Sequence, residues 1–316
     1  MQPDKKYLEK KSAQTSFQKD NLEKVWRLTV LLKRITESHI LREKFLLRGG
    51  TALNFIHLDI PRLSIDIDLD FIGALDKSGM ESQKPELIEE IGRLVKSLDY
   101  NLVPNERGYS AYQFILKYIN LWGGNEQIKI DINWLNRLPF GGVNNLSFKT
   151  LFDEVIQPFP VTTLQTEELL AGKIIAFLDR LEARDFYDIY QIAQGAFKYD
   201  QNLLRKLLIW TGCTRTEEGD FRKLTGFIDV SITEGTFKNA ILPLLSRNKT
   251  KPEFFSAKKS VETFVRNIIK FTDNENDFIT RFYKRDVKPE ILFEQYPYPS
   301  EILKHPGLLW RLKNMK

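Results

Sequence analysis

The stretch SIDIDLDFIG, at residues 64–73, constrains the fold more than any other part of the sequence. Its isoleucine and leucine residues alternate strictly with Asp66, Asp68 and Asp70. A period of two residues is typical of a β-strand with one apolar and one polar face. Side chains two residues apart on a strand lie on the same side, about 6.6 Å from each other. The three carboxylates are therefore predicted to share one face of a strand.

The residues before this strand predict a second strand, a tight turn and a short helix. FLLR is a short apolar run that ends at Gly49 and Gly50. Thr51 can cap the helix TALNFIHL, which Pro61 stops. A strand that leads through glycines into a helix presents free backbone N–H groups and the positive end of a helix dipole. Such turns bind phosphate in many proteins, although a glycine pair also occurs in turns that bind nothing.

A β-hairpin is predicted further along the chain, because AYQFILKYINL and EQIKIDINWL are rich in strand-forming residues and flank the turn WGGN. The second of these strands contains Asp131 between Ile130 and Ile132, which should face the core. Lys129 should lie on the same face as Asp131. Since one strand seldom supplies all the ligands of a metal site, Asp131 is the candidate for a third carboxylate beside those of the first strand.

The alternating aspartates allow two interpretations. Carboxylate oxygens are the ligands that Mg²⁺ and Mn²⁺ prefer, so Asp66, Asp68 and Asp131 can form a metal site. They can also form the solvated face of an antiparallel sheet. Aspartate is a poor strand former, and threonine, lysine or glutamate would serve solubility better. The glycine turn favours the metal site, but the aspartates alone leave both interpretations open.

The secondary-structure pattern changes near residue 163, where strand signals give way to long helical periodicities. We therefore predict an α+β protein of two domains. Residues 1–160 form an α/β domain that begins with an amphipathic helix, and residues 161–316 form a mostly helical domain. The predicted buried positions of the amphipathic helix are Val25, Leu28, Leu31, Leu32 and Ile35.

The segment EELLAGKIIAFLDRLEARDFYDIY is predicted to form one continuous helix. Helical spacing aligns Lys173, Arg180 and Arg184 on one face and places apolar side chains on another. The basic face either contacts solvent or binds phosphate. Asp185 falls among the apolar positions, where a carboxylate needs a partner, and Asp188 lies near enough to pair with the basic face.

Positive charge is concentrated in the C-terminal part of the chain. Residues 201–316 contain 21 basic and 14 acidic side chains, whereas residues 1–200 contain 26 and 28. The run RNKTKPEFFSAKKSVETFVRNIIK holds seven basic and two acidic residues around Phe254, Phe255 and Phe264. Aromatic rings between cations are typical of RNA-binding surfaces. Phenylalanines at this spacing also fit a helix that buries them in a core, and both interpretations stay open.

Several classes of protein are disfavoured by composition. The single cysteine, Cys213, excludes an intrachain disulfide and indicates a reducing compartment. The three histidines are scattered, which argues against zinc chemistry and against Cys/His catalysis. No apolar run reaches the length of a membrane-spanning helix, and the N-terminus does not have the apolar core of a signal peptide. We expect a cytoplasmic protein without a membrane partner.

Three motifs resemble those of a known family. Gly49-Gly50-Thr51-Ala52-Leu53, followed by Arg62, Ser64, Asp66 and Asp68, is similar to the first motif of the AbiEii/AbiGii toxins. These toxins belong to the DNA polymerase β-type nucleotidyltransferase superfamily and act in type IV toxin–antitoxin (abortive infection) systems. The segment EELLAGKIIAFLDRLEARDFYDIY resembles the second motif, and HPGLLWRL, near the C-terminus, is also similar to the family.

The resemblance implies a fold and an activity. The fold is a polymerase β-type domain, with a mixed sheet flanked by helices, followed by a helical domain that completes the nucleotide site and is a candidate for RNA binding. The activity is metal-dependent transfer of an NMP from an NTP to an acceptor hydroxyl, with release of pyrophosphate. The acceptor is expected to be the 3′ end of tRNA, and a cognate antitoxin is the expected protein partner. A protein or small-molecule acceptor, and a non-catalytic binding module of the same fold, remain alternatives.

The resemblance also implies roles for individual residues. Asp66, Asp68 and Asp131 would bind Mg²⁺ or Mn²⁺, and Asp131 would also help to deprotonate the acceptor; Asp70, beyond the motif, is interpreted as a solvated bystander. The residues expected to hold the nucleotide are Gly49, Gly50, Thr51, Ser64, Lys173, Arg180 and Arg184, and Lys173 is the first choice for the triphosphate. The residues whose role is left open between structure and catalysis are Arg62, Asp185 and Asp188.

Overall fold

The structure, a computed structural model, describes residues 3–215, 219–225 and 232–315. Two compact units are interleaved along the chain. The first unit comprises Met1–Arg137, Val143–Leu164 and Leu242–Thr250, and the second comprises Leu138–Gly142, Gln165–Ile241 and Lys251–Lys316. No helix among the described residues has both the length and the apolar character needed to cross a bilayer.

The first unit is built on one sheet of seven strands. The strands are β1 (Phe45–Arg48), β2 (Asp66–Phe71), β3 (Asn101–Arg107), β4 (Ala111–Ile119), β5 (Asn125–Asn133), β6 (Val143–Phe148) and β7 (Phe159–Leu164). Their order across the sheet is β3-β4-β5-β2-β1-β7-β6. β2 pairs in parallel with β5 and β1 pairs in parallel with β7, whereas the other neighbours are antiparallel. The sheet is therefore mixed, and β2 lies at its centre.

Helices accompany this sheet in the first unit. They are α1 (Lys5–Thr15), α2 (Lys19–Glu37), α3 (Gly49–Ala52) and α4 (Lys77–Lys96). The five apolar positions predicted to form the buried stripe of α2 are all at most 3% exposed. The helix packs against the sheet, since it contacts both β2 and β7. The predicted strands and hairpin are also present, as β1, β2, β4 and β5.

The glycine turn differs from its prediction. The helix begins at Gly49 and not after Thr51, and it continues from Ala52 into a π-helical turn at Leu53–His57. Thr51 lies inside the helix, so it does not cap it. Gly49 has a φ of +71°, a conformation that glycine adopts without steric cost.

The second unit is helical. Its helices are α5 (Thr166–Arg180), α6 (Ala183–Ala193), α7 (Gln201–Arg215), α8 (Arg222–Thr225), α9 (Glu234–Ile241), α10 (Phe254–Ile268), α11 (Asp273–Phe282), α12 (Pro289–Phe293) and α13 (Pro306–Asn314). A mixed sheet flanked by helices, followed by a helical region, confirms the predicted α+β class.

The prediction of one continuous helix through residues 166–190 is wrong. α5 ends at Arg180, where Leu181 adopts a left-handed conformation with φ +50°, and α6 starts two residues later. The break turns the chain, so a single helical wheel does not describe which side chains of α5 and α6 are neighbours.

Candidate functional site

A row of polar side chains crosses four strands at the centre of the sheet of the first unit. Arg48 of β1 pairs with Asp68 of β2, Asp68 pairs with Asp131 of β5, and Asp131 pairs with Gln113 of β4. Paired residues of neighbouring strands point to the same face, and neighbouring strands lie about 4.8 Å apart. The register therefore places the carboxylates of Asp68 and Asp131 side by side between a guanidinium and an amide. We call these four residues the polar row.

The predicted association of Asp131 with the aspartates of β2 is confirmed by this register. Ile130 and Ile132 on either side of it are at most 1% exposed and hold β5 in the core. Asp66 lies one pleat away from Asp68 and pairs with Lys129, which shares the face of Asp131 as predicted. Asp66, Asp68 and Asp131 are each half-buried, so their carboxylates are not sealed inside the protein.

Two contacts fix the carboxylates of the polar row. The buried amide of Gln113 donates a hydrogen bond of 2.7 Å to Oδ1 of Asp131. The carboxylate of Asp68 packs against the backbone of Gly49, where an added Cβ would lie 2.1 Å from Oδ2 of Asp68. A side chain at position 49 would therefore displace Asp68, so the first glycine of the turn is needed for the position of this aspartate.

Asp70 is not the solvated bystander that the sequence predicted. It is only 1% exposed, and its Oδ1 lies 2.8 Å from Nε of Arg48 in an ion pair. Burial acts to lower the pKa of Arg48, but the carboxylates of Asp70, Asp68 and Asp131 outweigh burial and raise it. Asp70 thus anchors a guanidinium whose charge also acts on both carboxylates of the polar row.

Sequence reasoning missed Arg48 and Gln113. A signal for Arg48 was present, because it is the last residue of a strand directly before the glycine turn. Gln113 gave no signal, because its role depends on the register between β4 and β5.

The donor set of this face suits a hard divalent ion. Within the described ranges, no group of three or more His, Cys, Asp and Glu side chains is placed to hold a metal ion. Mg²⁺ seldom uses a cage made by protein alone, and is usually bound through one or two carboxylates together with water and substrate phosphates. The adjacent carboxylates of Asp68 and Asp131 fit that mode of binding. Cys213 is buried and its burial raises the pKa of its thiol, which removes it as a thiolate nucleophile or ligand.

Side chains around the glycine turn connect it to the start of β2. The buried hydroxyl of Thr51 is 2.9 Å from Oγ of Ser64 and donates to the carbonyl oxygen of Asp66 at 2.5 Å. Arg62, which is 2% exposed, donates from Nη1 to the carbonyl oxygen of Leu63 at 2.9 Å. These contacts hold the turn and the Asp66 backbone together. Gly49 and Gly50, which form the turn itself, are half-exposed.

In the second unit, Lys173 lies in a buried ion cluster between α5 and α6. Its Nζ is 3.0 Å from Oδ1 of Asp185 and 2.8 Å from Oδ2 of Asp188. Arg180 also binds Asp185, with Nε 2.6 Å from Oδ2 and Nη2 3.1 Å from Oδ1. Burial acts to raise the pKa of Asp185, but the charges of Lys173 and Arg180 outweigh it and lower the pKa. We call these four residues the ion cluster.

The ion cluster changes the interpretation of the predicted basic face. Lys173 is 7% exposed, so it does not belong to a solvated stripe. Arg184 lies beyond the break at Leu181, and its Nη2 is 4.0 Å from Oε2 of Glu182. The expectation that Asp185 needs a partner is confirmed, and its arginine comes from the neighbouring helix of the same unit. The expected pairing of Asp188 with the cations is confirmed through Lys173.

A family comparison shows which class of protein this chain belongs to. The family model described as the nucleotidyl transferase AbiEii toxin of type IV toxin–antitoxin systems matches residues 30–275. This match covers more than half of the chain and includes the glycine turn, the polar row and the ion cluster. A search of the curated proteins finds no match.

Comparison with solved structures identifies proteins of similar fold. MenT4, a nucleotidyltransferase toxin from Mycobacterium tuberculosis H37Rv, matches with a TM-score of 0.68 and 17% identity over 92% of this chain and 98% of its own. The complex of the non-canonical poly(A) polymerase GLD-2 with GLD-3 matches at 9% identity over 93% of this chain and 98% of that chain, with a TM-score of 0.29. The CdnC:HORMA-deltaN complex of E. coli MS115-1 matches at 11% identity over 97% of this chain and 98% of that chain, with a TM-score of 0.26. The MenT4 likeness shows a shared fold, and the two lower scores are too small to support an argument.

Proposed function

Since this chain belongs to the AbiEii family of nucleotidyltransferase toxins of type IV toxin–antitoxin systems, we propose that it moves an NMP from an NTP to the 3′ end of tRNA. The main observation in support of this reaction is the polar row. In it Asp68 and Asp131, on neighbouring strands, lie side by side, and Asp68 packs against the glycine turn. The positive charge of the C-terminal part supports an RNA acceptor.

The carboxylates of the first unit are proposed to hold the reacting groups. Asp66, Asp68 and Asp131 would bind Mg²⁺ or Mn²⁺, which when bound supplies positive charge to the triphosphate and to the leaving pyrophosphate. The acceptor hydroxyl attacks the α-phosphorus, the bond from phosphorus to the pyrophosphate oxygen breaks, and the hydroxyl proton passes towards Asp131. Gln113 holds Asp131 in position for this transfer, and Gly49 lets Asp68 lie against the turn.

Other predicted residues are proposed to bind or support the nucleotide. The half-exposed backbone of Gly49 and Gly50 is the part of the turn that can donate to phosphate. Thr51 and Ser64 are buried and bonded to each other, which supports a role in shaping the turn.

Cations of the second unit remain candidates for the triphosphate. Lys173, Arg180 and Arg184 can neutralise phosphate charge. The carboxylates of Asp185 and Asp188 orient the Lys173 ammonium, because each lies within 3.0 Å of its Nζ.

The reaction is tested by incubating the protein with each α-³²P-labelled NTP, Mg²⁺ and bacterial RNA fractions, followed by gel separation. We expect label in the tRNA fraction, with one NTP preferred. Asp68→Asn should abolish the label, whereas Asp59→Asn, which removes a charge from a fully exposed aspartate, should not. Undiminished labelling by the Asp68 variant would contradict the proposed site.

The same gel separates the alternative acceptors. Label in a protein band or a small molecule would identify a different nucleotidyltransferase, and no label with any NTP would indicate a binding module.

The toxin role has a separate test. Induced expression in a bacterium without the antitoxin should stop growth for the native protein and for Asp59→Asn, but not for Asp68→Asn. Co-expression of the adjacent antitoxin gene should restore growth.

A further inference from the structure

The outward side of α10 presents a row of cations that begins with an aromatic ring. Phe255, Lys259, Thr263, Arg266 and Lys270 are all exposed. Their spacing of four, four, three and four residues follows the helical repeat, so they lie along one side, with Lys270 just beyond the last turn. We call these five residues the α10 basic face.

The opposite side of α10 fixes the helix in the core of the second unit. The side chains that face inward are Phe254, Ala257, Val261, Val265 and Ile268, and each is at most 7% exposed. The ring of Phe254 lies 6.1 Å from that of Phe186 in α6 and 5.7 Å from that of Phe237 in α9. The α10 basic face is therefore displayed on a rigid support and does not depend on a loop.

The three cations of this face have no carboxylate partner among the described residues. Within the described parts of the chain, no carboxylate lies within 4 Å of Lys259 or Arg266, and Lys270 contacts only the neutral amide of Asn267, at 3.1 Å. Other cations of the same unit do have acidic partners. Lys258 on the same helix pairs with Glu262 at 3.8 Å, and Arg281 pairs with Asp277 at 2.7 Å. Three cations without a carboxylate partner therefore lie along one side of α10.

Phe255 adds a feature that solubility does not require. It is 67% exposed, more than any other aromatic residue among those described, and it is the first residue of this side of the helix. An exposed ring in line with cations provides a stacking surface for a base and charges for the phosphates that follow it. An acidic polypeptide would use the cations but would leave the face of the ring without a matching group.

We propose that the α10 basic face binds single-stranded RNA, with a base stacked on Phe255 and phosphates bound by Lys259, Arg266 and Lys270. The face extends about 22 Å at the rise of an α-helix, which suits a strand of a few nucleotides. Duplex RNA would fit less well, because its bases are stacked on each other and cannot meet the ring. The choice of RNA rests on the proposed function, since the acceptor of the reaction is RNA.

The proposal is tested by fluorescence anisotropy, without NTP, on a 5′-fluorescein RNA of 12 nucleotides that forms no secondary structure. The variant K259Q/R266Q/K270Q should bind at least about tenfold more weakly at low salt. The slope of log affinity against log salt should decrease by about 2, because three phosphate contacts are lost. Phe255→Ala should weaken binding by at least about fivefold. The native protein should bind a 12-base-pair RNA duplex more weakly than the single strand.

Matched controls separate the position of the charges from their number. The variant K258Q/R281Q/K288Q removes two lysines and one arginine from the same unit, but each of them is paired with a carboxylate. It should keep near-native affinity for the single strand. Leu309→Ala, at an apolar residue of α13 that is 53% exposed, is the control for Phe255→Ala. Thermal unfolding should be the same for all variants, since the altered side chains lie on the surface.

Three results would overturn the proposal. These are an equal loss of affinity in the control triple variant, unchanged affinity in Phe255→Ala, and unchanged RNA affinity in the α10 triple variant. If the α10 triple variant kept its RNA affinity and lost affinity for polyglutamate, the face would be a docking surface for an acidic protein. Because binding is measured without NTP, the two proposals fail separately. A protein that binds RNA through α10 but labels no RNA contradicts only the proposed function.

Discussion

At the scale of single residues, the position of Asp68 depends on the absence of a side chain at Gly49. The carboxylate occupies the space where a Cβ would be, and φ of +71° adds strain for any other residue. We predict that Gly49→Ala lowers NTP-dependent labelling by about 100-fold or more, as displacements of about 1 Å at a reacting group do. It should also lower the free energy of unfolding by about 1–2 kcal/mol, measured by urea denaturation.

Gly142 is a matched control for this effect. Its φ is also +71°, but an added Cβ would meet nothing within 4 Å. Gly142→Ala should therefore lose about the same stability and keep native labelling. Equal loss of labelling in the two variants would show that backbone strain, and not the position of Asp68, limits the reaction.

The pair of Asp70 and Arg48 leads to a second prediction at this scale. Asp70 is buried, and its Oδ1 lies 2.8 Å from Nε of Arg48, the cation of the polar row. Removing one member of a buried ion pair costs about 3–5 kcal/mol, because the other charge stays buried. Since the Arg48 side chain is 29% exposed, we expect the lower end of this range for Asp70→Asn in urea denaturation. Asp59→Asn, at a fully exposed aspartate, should change the free energy of unfolding by less than about 1 kcal/mol.

At the scale of elements, α5 and α6 are joined through Asp185. Its pKa is lowered in the folded protein by Lys173 and Arg180 against the effect of burial. A lowered pKa means that the carboxylate stabilises the fold above its unfolded pKa of about 3.9. That stability is lost as the pH falls through the folded pKa. Asp185→Asn should therefore cost about 3 kcal/mol at pH 7.

The difference between the native protein and Asp185→Asn should shrink below pH 4, as followed by urea denaturation at several pH values. Arg180 is 53% exposed, so Arg180→Gln should cost no more than about 1 kcal/mol at pH 7. A difference that stays constant from pH 7 to pH 3 would contradict the role given to the Asp185 charge.

Elements with a strong repeat could be predicted from the sequence, whereas their junctions could not. Alternating residues located β2 and β5, and the aspartates of β2 were recognisable because few strands place carboxylates at every second position. The break at Leu181 was invisible, because leucine favours helices and seldom adopts a positive φ. The need of Asp185 and Asp188 for cationic partners was predicted, but the burial of Lys173 between α5 and α6 was hidden with the break. Asp70 was misjudged for a related reason, since its ion pair with Arg48 runs diagonally between β2 and β1 and could not be seen without the register.

At the scale of the whole molecule, the polar row is stabilised by the protein's own groups. Arg48 supplies positive charge beside Asp68 and Asp131, and Gln113 donates to Asp131. These groups offset part of the repulsion between the two carboxylates before any metal ion binds. Metal binding and folding should be largely independent in this protein, in contrast to small domains that fold around a metal.

Removal of divalent ions tests this independence. With EDTA in excess, NTP-dependent labelling should fall to background, and added Mg²⁺ or Mn²⁺ should restore it. The unfolding temperature should change by less than about 3 °C, which corresponds to about 1 kcal/mol for a unit of this size. Arg48→Met provides the contrast, because without the guanidinium the carboxylates repel each other more strongly. Its unfolding temperature should rise on addition of Mg²⁺ by more than that of the native protein, and equal shifts would show that Arg48 does not balance the charge of the polar row.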